Sequence, residues 1–484
     1  MFFEHLVYDN LPKMSWLLSF EKNTNNIQVI HGSSVEIADN FFFEGGWDGE
    51  FSEGDIVHSA NVFGSGAVIE NNTLTIVPPS HNFDKLVSIQ LENKILFSNS
   101  LNFLLSYGGL YLDDEYLMYV NDLHTMMNGL EGYKKTIPVK NGKDIQIHYY
   151  HNIIIQKNLD IRYANKCEPA DFTDFRSYKS YLEKTIDNLY QNLNDQRRTV
   201  NYSPVTSISS GYDAPTCAVL ANSVLNCQHA VTFKDALVSD ESDSGKQIAE
   251  CLGIAAKEFD RFGYLKSKGE FPEAEFLATM PSSLDLCFFT FEKELSQTIF
   301  FTGFSGDLIW ERNADNDPFI RLTPSGAGLT EFRLRLGFVH IPIPLIGAAK
   351  YKSIHKISRS SEMLPWSLFN DYDRPICRRI VEEAGVDRKL FGQKKLMGGV
   401  SLYVEGYSSG MKDQSYKDFS ELCTKFNRND LLKFSSKYRK YYNTKNISHK
   451  IVFYLMHKLG LFKKPNLNPE FLWGVSHLKD RYNL

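Results

Sequence analysis

The stretch Val205-Thr-Ser-Ile-Ser-Ser-Gly-Tyr-Asp-Ala-Pro-Thr-Cys-Ala-Val-Leu-Ala221 decides how the chain is read. A short apolar run ends in small residues, bends at Gly211, passes Asp213 and opens an apolar helical pattern. Strand, tight loop and helix N-terminus in that order form a phosphate cradle. Backbone N–H groups point at the anion, the helix dipole favours it, and small side chains let it approach. Asp213 adds a condition. A carboxylate near phosphates is repelled unless a cation lies between them, so the loop implies Mg2+ together with a nucleotide.

Downstream of this loop the pattern alternates. His229–Phe233 reads as a strand, 241–252 as a helix closed by Gly253 at its C′ position, and Ala255–Phe259 as a strand. Residues 283–297 read as a helix and 298–303 as a buried strand. This alternation predicts an α/β fold with a doubly wound parallel sheet, whose ligands bind beyond the carboxyl ends of the strands. Ser209 to Asp213 and Gly303 to Asp307 both fall at such ends, so they are expected to face one another across one nucleotide. Upstream, 172–194 has helical periodicity through Tyr178, Tyr181, Leu182, Ile186 and Leu189.

Residues 1–165 differ in character. They are rich in aromatic and β-branched residues, broken by turn signals at Gly45-Gly46, Asn71-Asn72 and Asn141-Gly142. Thr73–Val77, Lys94–Ser98 and 145–155 read as strands, and Leu101–Tyr107 and 114–122 as short helices, giving a mostly antiparallel sheet domain. From about 320 onward the chain reads as mainly helical. Its last part, 411–484, carries a basic tail: Lys433, Lys437, Arg439, Lys440, Lys450, Lys458, Lys463 and Lys464. The tail reads as the solvated face of a helical hairpin, or as a dock for a carrier protein, a leader peptide or an anionic glycan.

Composition sets the outer bounds. The 484 residues suffice for two or three domains, and 43% hydrophobic with 23% charged residues is ordinary for a globular protein. A net charge of −5 argues against a general nucleic-acid binder. The seven cysteines are scattered without a CxxC, which disfavours a zinc site or a disulfide scaffold and fits a reducing cytoplasm. The N-terminus lacks a basic-then-apolar signal pattern, and no apolar run is long enough to span a bilayer.

Ile208-Ser-Ser-Gly-Tyr-Asp-Ala-Pro215 resembles the pyrophosphate loop of the asparagine-synthetase-like ATP pyrophosphatases, Leu-Ser-Gly-Gly-x-Asp-Ser-Ser. Thr302-Gly-Phe-Ser-Gly-Asp-Leu-Ile309 resembles that family's second motif, Ser-Gly-Glu-Gly-Ala-Asp-Glu-Leu. Glu241 with Ala249-Glu-Cys-Leu-Gly253 matches the stretch between them, and Gln393-Lys-Lys-Leu-Met-Gly-Gly-Val400 the segment supplying an active-site lysine. Order and rough spacing agree over about 170–405. The first third is similar, more weakly, to the family's amidotransferase domain through Lys94-Ile-Leu-Phe-Ser98 and Phe103-Leu-Leu-Ser-Tyr107.

The resemblance implies an Ntn-like antiparallel β-sandwich over 1–165, an ATP-binding synthetase domain over 166–410, and a helical extension over 411–484. It implies ATP and Mg2+ as cofactors and an acyl-adenylate intermediate converted to an amide. Ser209, Ser210 and Gly211 would cradle pyrophosphate, and Asp213 and Asp307 would hold Mg2+. Ile208, Thr232, Phe233, Thr302 and Gly303 would line the adenosine pocket. Lys394 or Lys395 would stabilise the oxyanion of the second step; the offset to Gly399-Val400 favours Lys394. Arg374 and Arg378 read as helix-surface salt-bridge residues, with binding of a substrate carboxylate or phosphate as the alternative.

Three departures qualify the resemblance. Glutamine-using members begin Met-Cys, whereas position 2 is Phe2, a packing residue, and the first cysteine is Cys167. Nitrogen would then come from an amine in the substrate, a separate amine or ammonia, as in members that make β-lactams or close lasso peptides. In the pyrophosphate loop Ser210 replaces glycine, and Ala214 and Pro215 remove hydroxyls, for which Thr216 is a candidate substitute. In the second motif Phe304 and Leu308 stand where the family has glutamates, with Glu311 as a nearby stand-in or a solvated residue. The expected function is amide ligation of a small-molecule, peptide or glycan carboxylate. A retired scaffold protein and an adenylating enzyme using another nucleophile, such as sulfur, are the rivals.

Overall fold

Five short strands pair in one all-parallel sheet: β1 (Ser203–Ser207), β2 (His229–Phe233), β3 (Ala255–Phe259), β4 (Thr298–Thr302) and β5 (Val339–Pro342). The computed structural model describes residues 1–483 apart from 141, 237–240, 281, 316, 321–323, 397, 430 and 433–467. The spatial order is β3-β2-β1-β4-β5. The chain runs outward on one side through β2 and β3, then returns to the other side at β4. Order therefore reverses between β1 and β4, the switch point at which such sheets open a crevice beyond their carboxyl ends. β4 is buried at all five residues, Thr-Ile-Phe-Phe-Thr, as a central parallel strand must be.

The helices follow from local signals. α1 (Phe175–Leu193) starts at Asp174, whose side chain accepts from the Ser177 N–H in a capping box, and it buries Tyr178, Leu182, Ile186 and Leu189. α2 (Asp213–Leu225) follows β1 and ends where Asn226 turns left-handed at φ 52°. α3 (Lys246–Cys251) lies between β2 and β3. α4 (Pro375–Glu383) begins with proline in its first turn, where the missing N–H costs nothing, and packs on α2.

The first third builds two sheets of seven and six strands. All pairings in them are antiparallel except Phe2–Val7 with Asn26–His31, which run parallel. Trp16, Leu18 and Phe20 point from one sheet toward Phe42, Leu74 and Ile76 of the other. Leu17, on the opposite face of the same strand, joins a larger core continuous with the parallel sheet. Arg333 bridges the two parts by pairing with Glu44 at 2.6 Å and Asp84 at 3.6 Å.

Several local expectations need correction. Residues 145–155 are two strands in different sheets, Asp144–His148 and Asn152–Ile155, separated where Tyr150 turns to φ 62°. The helix expected over 114–122 is Tyr119–His124, because Asp113 forms a local turn with the Glu115 N–H. Residues 241–245 are not helical; bridges of Ser242 to Asp235 and Ser244 to Ser209 tie them down. Residues 283–297 form a 3-10 helix (Leu284–Phe291) and a short α-turn (Glu292–Leu295), since Leu-Asp-Leu-Cys-Phe-Phe-Thr-Phe has no polar face for an amphipathic helix. The region after 320 is not purely helical, because Val339–Pro342 completes the sheet beside β4. Phe2 is not a packing residue: it is 56% exposed on an edge strand, while Phe3 packs on Phe42. The basic tail residues, Lys433 through Lys464, lie outside the described residues. Among the described residues no helix is long and apolar enough to cross a membrane.

Candidate active site

The loops after β1 and β4 meet. A Cβ on Gly303 would lie 2.5 Å from Asp213 Cβ, and one on Gly306 would overlap the Asp213 carboxyl. Only glycine at these two positions lets the second loop lie against the start of α2. Between them opens a cavity of about 260 Å3 at the switch point. Ile208, Ser209, Gly211, Asp213, Thr232, Phe233, Thr302, Gly303 and Asp307 all line it, as do Arg374 and Lys395.

Its inner wall is apolar. Ile208, Val231, Phe233, Phe288 and Phe291 contribute, with the Phe233 and Phe291 rings stacked at 4.5 Å. The hydroxyls of Thr232 and Thr302 are turned to protein partners. Thr232 accepts from the Gly245 N–H at 3.0 Å, and Thr302 bonds to His340 at 2.8 Å. Phe304 lines the cavity and packs on Phe83, Phe288 and His340. It therefore supplies an aromatic wall where the resembling family has an acid. Leu308 lines it too and is otherwise buried.

Asp213 is the most constrained group. Its Oδ2 pairs with Arg374 Nη1, while Oδ1 has, among the described residues, only the Cys377 thiol, at 4.0 Å. Burial pushes its carboxyl above the ordinary range, and the guanidinium beside it opposes that push. Arg374 is 2% exposed and also pairs through Nε with Glu311 Oε2 at 3.1 Å. Glu311 accepts the Asp373 N–H at 3.0 Å as well. It is a buttress for Arg374, not a solvated residue. Arg374 and Arg378 are thus core groups, correcting the helix-surface reading. Arg378 pairs with Glu382 and donates to the buried Tyr212 hydroxyl.

Two loop residues act differently from the cradle expected of them. Ser210 is absent from the lining: its N–H donates to the Asp243 carbonyl at 3.1 Å, its hydroxyl to Asp243 Oδ1 at 2.8 Å, and its carbonyl accepts from Gly392. Thr216 does not replace the lost hydroxyls, because its own is buried and donates to the Tyr212 carbonyl at 2.8 Å. The Gly211 N–H is less committed, reaching Ser209 Oγ at 3.3 Å.

The lysine pair divides cleanly. Lys395 lines the cavity with Nζ 3.5 Å from Asp307 Oδ2. Lys394, favoured by the offset, is outside the lining and pairs with Glu241 at 2.8 Å on the surface.

Sequence reasoning passed over Tyr372, Asp243, Phe288 and Ser325, which also line the cavity. Asp243 had a signal: a run of small polar residues, Ser242-Asp-Ser-Gly245, sits badly in a helix. Neither a scan against protein-family models nor a search of curated proteins returned a match.

Proposed function

We propose that the switch-point cavity binds ATP and joins a carboxylate to an amine through an acyl-adenylate, releasing pyrophosphate and AMP. One observation carries this reading: two small-residue loops, each ending in an aspartate, meet at the carboxyl ends of the two central parallel strands. The apolar wall of Ile208, Val231 and Phe233 suits an adenine ring, and the loop side suits phosphates.

The charges support Mg2+ as companion. Asp213, Asp243, Asp307 and Glu311 face Arg374 and Lys395, so among the described residues negative charge is in excess where phosphates would lie. Mg2+ usually takes one or two protein carboxylates and completes its shell with phosphate and water, a donor set that Asp213 Oδ1 and Asp307 fit. When bound, the ion would neutralise charge between these carboxylates and the phosphates. The Gly211 N–H would cradle the leaving pyrophosphate, and Lys395 would stabilise the oxyanion as the amine attacks. Residues 1–166 contain no cysteine, so the amine would come from the substrate, a separate amine or ammonia rather than from a cysteine glutaminase in this part of the chain. The carboxylate is a small-molecule, peptide or glycan acid.

A second reading, a binding protein with a retired site, is favoured by Ser210, whose polar groups are all engaged by protein. Calorimetry with ATP, with and without Mg2+, separates the two. Heat of binding followed by AMP and pyrophosphate release with a candidate acid is expected for the ligase. ATP binding without turnover favours the retired site, and absence of nucleotide binding overturns the ligase.

A further inference from the structure

Arg374 carries more than the fold asks of it. The guanidinium has five N–H donors in a planar fork. Nε is taken by Glu311 and Nη1 by Asp213, whereas Nη2 has no protein partner among the described residues. Nη2 is also not among the polar atoms sealed from solvent, although the residue is 2% exposed and lines the cavity. The space that Arg374 borders is this cavity. The Tyr372 ring, 5.2 Å from the guanidinium carbon, covers one face. Pro375 at the start of α4 fixes the backbone just beyond it.

A buried guanidinium with unclaimed donors is costly unless an anion takes them. Two carboxylates already hold the fork in plane, which pre-orients Nη2 and lowers the entropy cost of a further hydrogen bond. Surface-lysine pairing of the kind seen at Asp307, where Lys395 is 63% exposed, gives no such orientation. The same contact has a second effect. While Arg374 holds Asp213, a divalent cation meets a carboxylate that already has a fixed positive charge beside it. Bare Mg2+ is thus disfavoured, and Mg2+ accompanied by phosphate is not.

We propose that Arg374 is a nucleotide-binding residue that takes a phosphate group through Nη2 and, until that phosphate arrives, keeps Asp213 closed to divalent cations. This rests on the nucleotide reading above and adds an order to it: nucleotide and metal load together, never metal alone. No covalent bond is made or broken in this step; the phosphate at Nη2 draws on the guanidinium charge that until then faces Asp213 and Glu311 alone.

The test is Mn2+ titration of the full chain followed by electron paramagnetic resonance, alone and with α,β-methylene-ATP, alongside calorimetry of the nucleotide. Wild type is expected to bind Mn2+ only when nucleotide is present. Arg374→Met leaves Asp213 and Glu311 without the guanidinium. It is expected to bind Mn2+ without nucleotide about tenfold or more tightly than wild type, and nucleotide about tenfold more weakly. Arg374→Lys keeps a charge but loses the fork, and is expected to weaken nucleotide binding in the same direction. It also serves should the methionine variant fail to fold. Nucleotide affinity unchanged in both variants, or Mn2+ bound by nucleotide-free wild type as tightly as by Arg374→Met, overturns the assignment while leaving the ATP site standing. Failure of wild type to bind nucleotide overturns the ATP site itself.

Discussion

Gly306 lies directly against the side chain of Asp213: a Cβ at position 306 would sit 2.9 Å from Asp213 Cβ and closer still to its carboxyl carbon. The neighbour that would have to give is itself fixed by the buried Arg374. A methyl group at 306 would therefore push Asp213 off its partner. Gly306→Ala is expected to weaken ATP binding about tenfold or more and to lower stability by about 1–3 kcal/mol through overpacking. Calorimetry and denaturant unfolding measure the two effects. Gly253→Ala is the contrasting change, since a Cβ there meets nothing within 4 Å and only its φ of 69° is unfavourable; it should cost stability without touching ATP affinity.

Asp213→Ala should destabilise more than Asp307→Ala. Removing Asp213 leaves a buried guanidinium with Glu311 as its remaining carboxylate, and breaking a buried pair one-sidedly costs about 3–5 kcal/mol when no second partner exists. With Glu311 in place we expect about 1–3 kcal/mol. Asp307 pairs with a lysine that is largely exposed, so its loss should be within about 1 kcal/mol. Both variants should lose Mg2+-supported ATP binding. Equal melting temperatures for the two, or ATP binding unaltered in both, would contradict the site.

How legible this site was depends on the range of each signal. The loop Ser209 to Asp213 and its partner Gly303 to Asp307 were visible because strand, loop and helix N-terminus are contiguous. Their meeting at the crevice followed from the alternation of strands and helices, which fixes where parallel strands end. The partners of Asp213 were not visible in this way. Arg374 lies 161 residues away, and its pattern fits a surface helix as well as a core one. The fate of Ser210 depended on Asp243, in a segment whose apolar spacing mimics a helix but whose small polar residues bridge to the loop. β5 was hidden because four residues give too few alternations to count.

Lys395 and Lys394 offer an internal comparison, since adjacent residues share backbone and differ only in direction. Lys395→Ala should reduce AMP release in the presence of acid and amine by about a hundredfold to a thousandfold, the range expected when one oxyanion-stabilising group is lost. Lys394→Ala removes an exposed pair with Glu241 and should leave both turnover and stability within about 1 kcal/mol of wild type. Turnover falling for Lys394→Ala instead would reverse the assignment.

Acid should loosen the fold in a definite window. Burial lowers His148 to about 3, with Lys135 adding to the effect, and lowers His340 to about 3, with His81 adding. Both rings bond while neutral, His148 to Ser88 and Tyr163, His340 to Thr302 on the cavity wall. In the unfolded chain each takes a proton near pH 6.5. The folded state therefore binds fewer protons between about 6.5 and 3, and its stability falls as pH drops through that range by up to about 1.4 kcal/mol per pH unit for each histidine. Glu470, raised by burial to about 8, acts in the opposite sense. Its contribution is complete below about 4.5 and is lost as pH rises to 8, which offsets one histidine between 4.5 and 6.5. Melting temperatures should therefore fall most steeply below pH 4.5. His340→Gln, which offers a hydrogen bond without the titration, should make that slope shallower. A slope in the variant as steep as in wild type would show that His340 is not held neutral against the cavity wall.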